Sequence, residues 1–187
     1  NLVSVKNFGE IEFWFSMIKI VAIVALIVVG GAMIVMGFTS PTGAQASVAN
    51  LWNDGGMFPN HFIGFLGAFQ IAVFAFMGSE LVGTTAAETQ DPEKTLPKAI
   101  NAVPVRIMVF YVGALAVILM VTPWRLVSPD KSPFVAMFTL AGLGIAAHII
   151  NFVVITSATS SANSGIFSTS RMAFGLARER SAPQFLG

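Results

Sequence analysis

The sequence predicts an all-α, polytopic membrane protein with four transmembrane helices. Three observations carry that prediction. Apolar residues make up 55% of the 187, and charged residues only 10%, with a mean hydropathy of +0.79. A soluble domain has about a quarter of its residues charged because its surface faces water, so these charges are too few to clothe a globule. Third, the apolar runs reach the roughly 20 residues that cross ~30 Å of hydrocarbon, and polar, Pro/Gly-rich connections separate them. Cysteine is absent, which removes disulfides and thiolate metal sites. No second His or carboxylate stands beside His148 at ligand spacing, so neither a metal nor a cofactor is expected.

The spans follow in order. The first covers about 11–38 and is interrupted by one charge, Lys19. A loop from Thr39 to Asn60 carries the turn signals Pro41-Thr42-Gly43 and Asn53-Asp54-Gly55-Gly56. The second covers about 61–86 and contains Glu80; the polar connection after it holds Asp91-Pro92-Glu93-Lys94. The third, about 100–122, closes on Pro123-Trp124, an interfacial anchor. Between Lys131 and Arg171 there is no Asp, Glu, Lys or Arg, a stretch too long for one crossing. Gly142 and Gly144 divide it into a short amphipathic helix at the outer surface, 133–140, and a tilted span, 144–174. The start at Asn1, with no signal-peptide pattern, and the end at Gln184-Phe185-Leu186-Gly187 are read as cuts within a longer chain.

Charge placement sets the orientation. With four spans, Lys6, Lys94, Lys98, Arg106, Arg171, Arg178 and Arg180 share one side, and Arg125 and Lys131 hold the other. Short basic segments stay cytoplasmic, so both ends are expected inside.

Ionisable groups within spans are costly, about 2.5–3.5 kcal/mol at a helix centre by insertion scales, and usually face a cavity or a partner. Lys19 lies about two turns inside the first span; the alternative is an amine that snorkels to the interface. Glu80 lies in the second span between Gly78 and Gly83, which weaken the helix around it. That pattern fits a broken helix with free backbone groups facing a cavity, and equally a continuous helix using glycines for close packing. In the fourth span Ser157, Ser161, Ser164 and Ser168 fall on one helical face, widened by Thr156, Ser160 and Asn163. A polar face suits a water-lined or ion-lined interior, or hydroxyl glue between helices.

Four ordered stretches carry a resemblance. Gly9-Glu10-Ile11-Glu12-Phe13-Trp14-Phe15-Ser16-Met17-Ile18-Lys19-Ile20, Phe69 through Thr89, Asp91 through Ile100, and Ser168 through Arg178 resemble, in turn, the start of the fifth helix, the sixth helix, the loop into the seventh, and the end of the eighth helix of amino-acid permeases in the amino acid–polyamine–organocation superfamily. The resemblance spans the whole chain, as one partial permease domain over 1–187. It implies an inverted-repeat transporter fold of five-helix halves, with helices one and six discontinuous. Leu51-Trp52-Asn53-Asp54-Gly55-Gly56 and Val121-Thr122-Pro123-Trp124 narrow the resemblance to members carrying small amino acids of the glycine, D-alanine and D-serine type.

By that resemblance the substrate's amino and carboxyl groups would meet free backbone at the helix breaks. Phe74, Ala75, Phe76, Met77, Gly78, Ser79 and Glu80 would be the sixth helix's share of the pocket. Phe74 and Phe76 would wall it, Met77 and Ser79 tune side-chain fit, and Glu80 shape polarity and gating. Lys19 matches the fifth-helix lysine of proton-coupled members, whose ammonium stands where sodium-coupled relatives hold an ion. Ser157, Ser161 and Ser164 are its implied neighbours, and spacing leaves open which hydroxyl faces it. Protonation would then bias one side-open state over the other if the two hold the charge differently.

The expected partners are an amino-acid substrate, the proton as coupling ion, the lipid bilayer and the remaining helices of the permease, with no nucleic acid. The expected location is the bacterial cytoplasmic (inner) membrane. A permease for aromatic, proline or basic substrates is one alternative, and a non-transporting packing subunit another. No nucleophile–base pair or phosphate loop suggests an enzyme.

Overall fold

The computed structural model of the chain describes residues 5–56, 58–76 and 91–183. Helix α1 runs Val5–Val35, and α2 runs His61–Ala72 before tightening into a 3-10 turn at Val73–Ala75. Helix α3 runs Pro92–Val121, α4 Pro133–Leu140 and α5 Gly144–Arg178. The one strand-like pairing among the described residues is an isolated bridge between Thr39 and Gln45.

Three of these helices are long and apolar enough to cross a membrane: Gly9–Val35, Pro92–Val121 and Gly144–Arg178. Their outer faces carry large apolar side chains in the open, including Val28, Met108, Ile145 and Phe152. In water such a surface would drive aggregation; against lipid it is the ordinary exterior. Helix α2 is apolar but shorter, and buries none of its residues. The second predicted span, 61–86, is described only as far as Phe76. Helix α5, at 35 residues, is about 52 Å long and exceeds one bilayer crossing. Arg171 and Arg178 lie near its end, stacked over the rings of Phe167 and Phe174 at 5.1 and 5.9 Å.

Prolines shape α3. Pro92 occupies the first turn, where its missing N–H is harmless, but Pro97 and Pro104 sit inside the helix. Pro104 offers no N–H to the carbonyl one turn earlier, and immediately after this disturbance the helix widens to a π-helical stretch at Ile107–Gly113. Regular α geometry returns at Ala114–Val121.

The core lies where α1, the end of α3, α4 and α5 converge. Leu26 and Met33 of α1, Ala114, Ile118 and Val121 of α3, Met137 and Phe138 of α4, and Ile150 of α5 are buried together. Gly30 permits that convergence, since a Cβ there would stand 2.2 Å from Val117 Cγ1. Two helix ends are closed by left-handed glycines. After α1, Gly37 has φ 62°, and its N–H and that of Phe38 donate to Ile34 and Met33. After α4, Gly142 has φ 75°, with Leu143 N–H donating to Phe138. Both satisfy carbonyls that a helix end leaves orphaned. The second turns the chain sharply from α4 into α5.

The long loop after α1 is stitched to α3. Asn50 Nδ2 donates to Gln45 O and to Met120 O, both at 2.8 Å, and Ser47 N–H donates to Met120 O at 2.9 Å. Further out, Arg125 pairs with Asp54 at 3.6 Å while stacking on Trp124 at 5.4 Å; being exposed, that pair adds little. Asn50→Ala is expected to cost about 1–3 kcal/mol. It should appear as faster amide hydrogen exchange at Ser47 and Asn50 in the membrane-embedded protein, with α5 unaffected.

Candidate functional site

Helices α1 and α5 run antiparallel, so the N-terminal half of α1 faces the middle and C-terminal part of α5. Here the structure gathers four polar side chains. Lys19 Nζ donates to Ser160 Oγ at 3.1 Å. Ser160 Oγ donates to Glu12 Oε2 at 2.5 Å, and Asn163 Nδ2 donates to Glu12 Oε1 at 3.3 Å. Ser160 is buried, at 1% exposure; Glu12, Lys19 and Asn163 are half-buried.

Helix geometry explains the reach. Glu12 and Lys19 are seven residues apart, two turns, on one face of α1. Helical side chains lean toward the N-terminus, so the lysine stem descends toward the level of Glu12. Ser160 fills the remaining gap. Among the described residues the one direct ion pair is Arg125–Asp54; Lys19 and Glu12 instead meet through a hydroxyl. Hydrogen bonds to charged groups are worth about 1.5–3 kcal/mol net, so the cluster fixes the two helices while each charge keeps a partner.

Of the hydroxyls expected near Lys19, Ser157 and Ser164 are half-buried and Ser161 is exposed. The bonded hydroxyl is Ser160, from the edge of the predicted stripe. Other hydroxyls of α5 turn back on their own helix: Thr156 donates to Val153 O at 2.9 Å and Thr159 to Ile155 O at 3.0 Å, and Ser170 to Ile166 O. Glu12 was not among the residues singled out from sequence.

On the other side of the expected site, Phe74 and Phe76 lie at the end of α2, both exposed. Phe74 and Ala75 belong to the 3-10 turn, and Phe76 follows it, its N–H donating to Val73 O at 3.0 Å. Met77, Gly78, Ser79 and Glu80 lie outside the described residues.

Long apolar helices holding a charged, hydrogen-bonded cluster between them define an α-helical membrane protein with a polar interior. The chain belongs to the amino acid permease family, whose profile matches residues 1–187. It is 68% identical over 184 residues to the D-serine/D-alanine/glycine transporter of Escherichia coli (strain K12), covering 98% of this chain and 39% of that protein. Amino-acid permease AapA of Bacillus subtilis (strain 168) is 56% identical over 186 residues, 100% of this chain and 40% of the relative. The aromatic amino acid transport protein AroP of Escherichia coli (strain K12) is 48% identical over 186 residues, with the same coverage. The chain thus spans about two fifths of the length of these relatives. No solved structure matches it.

Proposed function

We propose that this chain forms part of a permease carrying glycine, D-alanine and D-serine across the bacterial cytoplasmic membrane by proton symport. The observation that carries this reading is an ionisable amine held between two spans, in a chain 68% identical to a transporter of those substrates. Lys19 is the proton carrier. Its partner Ser160 comes from α5, so movement between the helices would change how the ammonium is held, and Ser157, Ser161 and Ser164 line the same helix beside it. Phe74 to Glu80 form one half of the substrate pocket; the 3-10 tightening at Val73–Ala75 supports a helix that loses α geometry as it enters this segment. The rest of the pocket comes from other helices of the permease. With four spans, 11–38, 61–86, 100–122 and 144–174, the basic residues put both ends of the chain on the cytoplasmic side. Residues 133–140 then lie at the outer surface.

The test is radiolabelled glycine uptake by the full-length permease in proteoliposomes. An inward proton gradient should drive accumulation. Excess unlabelled D-alanine or D-serine should compete, and phenylalanine or lysine should not. Uptake indifferent to the gradient would remove proton coupling, and inhibition by phenylalanine equal to that by D-alanine would point to an aromatic substrate.

A further inference from the structure

The hydrogen bonds around Ser160 have a direction. Lys19 donates to the serine oxygen, and the serine hydroxyl donates to a carboxylate. A donor–hydroxyl–acceptor series of this polarity can pass a proton without any heavy atom moving. We infer that Glu12, reached through Ser160, accepts the proton that Lys19 releases, so that Lys19, Ser160 and Glu12 form a relay leading toward the N-terminal end of α1. This rests on the proton-symport reading above, in which that end is cytoplasmic.

The step balances without a co-reactant. A proton of the Lys19 ammonium moves to Ser160 Oγ as the hydroxyl's own proton moves to Glu12 Oε2. The ammonium–carboxylate pair becomes an amine and a carboxylic acid, serine is regenerated, and total charge is unchanged. Neutralising both groups together avoids leaving one charge alone in a poorly solvated place, the costly alternative. Glu12 then discharges to water at the end of the helix. Asn163 holds the second carboxylate oxygen at 3.3 Å, leaving Oε2 aimed at the serine.

The surroundings contain few competing charges. Helix α5 has no Asp, Glu, Lys or Arg between Gly144 and Arg171; its His148 is twelve residues from Ser160, toward the opposite end. Helix α4 has no charged residue, and on α3 Glu93, Lys94, Lys98 and Arg106 are all exposed. On α1 itself, Glu10 is exposed and Lys6 lies nearer the N-terminus. Glu12 is therefore the one carboxylate hydrogen-bonded to the lysine's partner among the described residues.

The experiment separates net transport from exchange in the full-length permease. Gradient-driven glycine uptake requires Lys19 to release its proton in every cycle. Exchange of internal for external glycine at equal pH lets the protonated carrier shuttle back and forth. Glu12→Gln and Ser160→Ala should each lower gradient-driven uptake at least roughly tenfold and lower exchange far less. Ser160→Thr, which keeps the hydroxyl, should retain most uptake. Uptake at wild-type rate in Glu12→Gln and Ser160→Ala would overturn the relay. So would parallel loss of uptake and exchange, which would make these residues helix anchors. If the wild-type protein itself exchanges glycine but ignores the gradient, the symport reading fails, and it does so before any variant is compared.

Discussion

Lys19→Met in the full-length permease should abolish concentrative uptake while sparing downhill movement of substrate. Symport of one proton per substrate lets each pH unit across the membrane, about 1.4 kcal/mol, sustain roughly a tenfold accumulation. A carrier without its proton-binding group can only equilibrate, so the steady-state ratio of internal to external glycine should fall to about 1. Methionine keeps much of the apolar stem, which limits the packing change. Lys19→Arg provides the complementary arm. A guanidinium keeps the charge and can donate to Ser160 but does not release its proton at accessible pH, so it should be uncoupled too. Accumulation that persists in Lys19→Met, measured with radiolabelled glycine, would place the proton carrier elsewhere.

Gly30→Leu should be the most damaging single change to packing. The added Cβ alone would stand 2.2 Å from Val117 Cγ1, with Met137 Sδ and Cε at 3.1 and 3.3 Å. Methionine can swing aside, but valine in a helix has essentially one side-chain rotamer. Helix α1 must therefore move off α3 as a body, opening gaps around Leu26 and Met33. Overpacking of this kind costs about 1–3 kcal/mol, and a leucine belongs at the upper end. The neighbouring Gly31, with nothing within 4 Å, gives the control: Gly31→Leu should leave the detergent melting temperature nearly unchanged. Adding Val117→Ala to Gly30→Leu should recover part of the loss, and a strictly additive double variant would show that the two sites do not meet.

Most of the fold class was written in composition and in the lengths of the apolar runs. Those properties depend on transfer from water to hydrocarbon and need no knowledge of partners. The turn at Gly142 was legible for a similar reason: an uncharged stretch too long for one crossing must bend, and glycine accepts the left-handed backbone of a helix end. Packing was not legible. Nothing in the sequence distinguishes Gly30, pressed against α3, from Gly31, which faces open space.

The polar cluster was half legible. Lys19 stood out because an isolated cation in an apolar run is expensive. Its partner did not, because the serine face was centred on Ser157, Ser161 and Ser164. At 100° per residue Ser160 lies about 60° around the helix from Ser157, and how far α5 is rotated toward α1 is decided by packing along its whole length. Glu12 was hidden by position. It follows Glu10 at the polar entrance to the span, where carboxylates are ordinary. The available signal was its two-turn spacing from Lys19, which puts both on one side of α1.

The two ends of this helix assembly are fastened very differently. At the loop end α1, α3 and α4 interlock around Gly30, and the loop is bonded to Met120. Toward the N-terminus of α1 the described polar bonds to α5 pass through Ser160 and Asn163. Gly30 and Glu12 are 18 residues apart, or about 27 Å along the axis. With the loop end as a fulcrum, a tilt of about 5° would carry Glu12 roughly 2 Å, more than a hydrogen bond tolerates. The helix is in that sense a long lever with a clasp toward its N-terminal end, and a small angular change would be enough to open it.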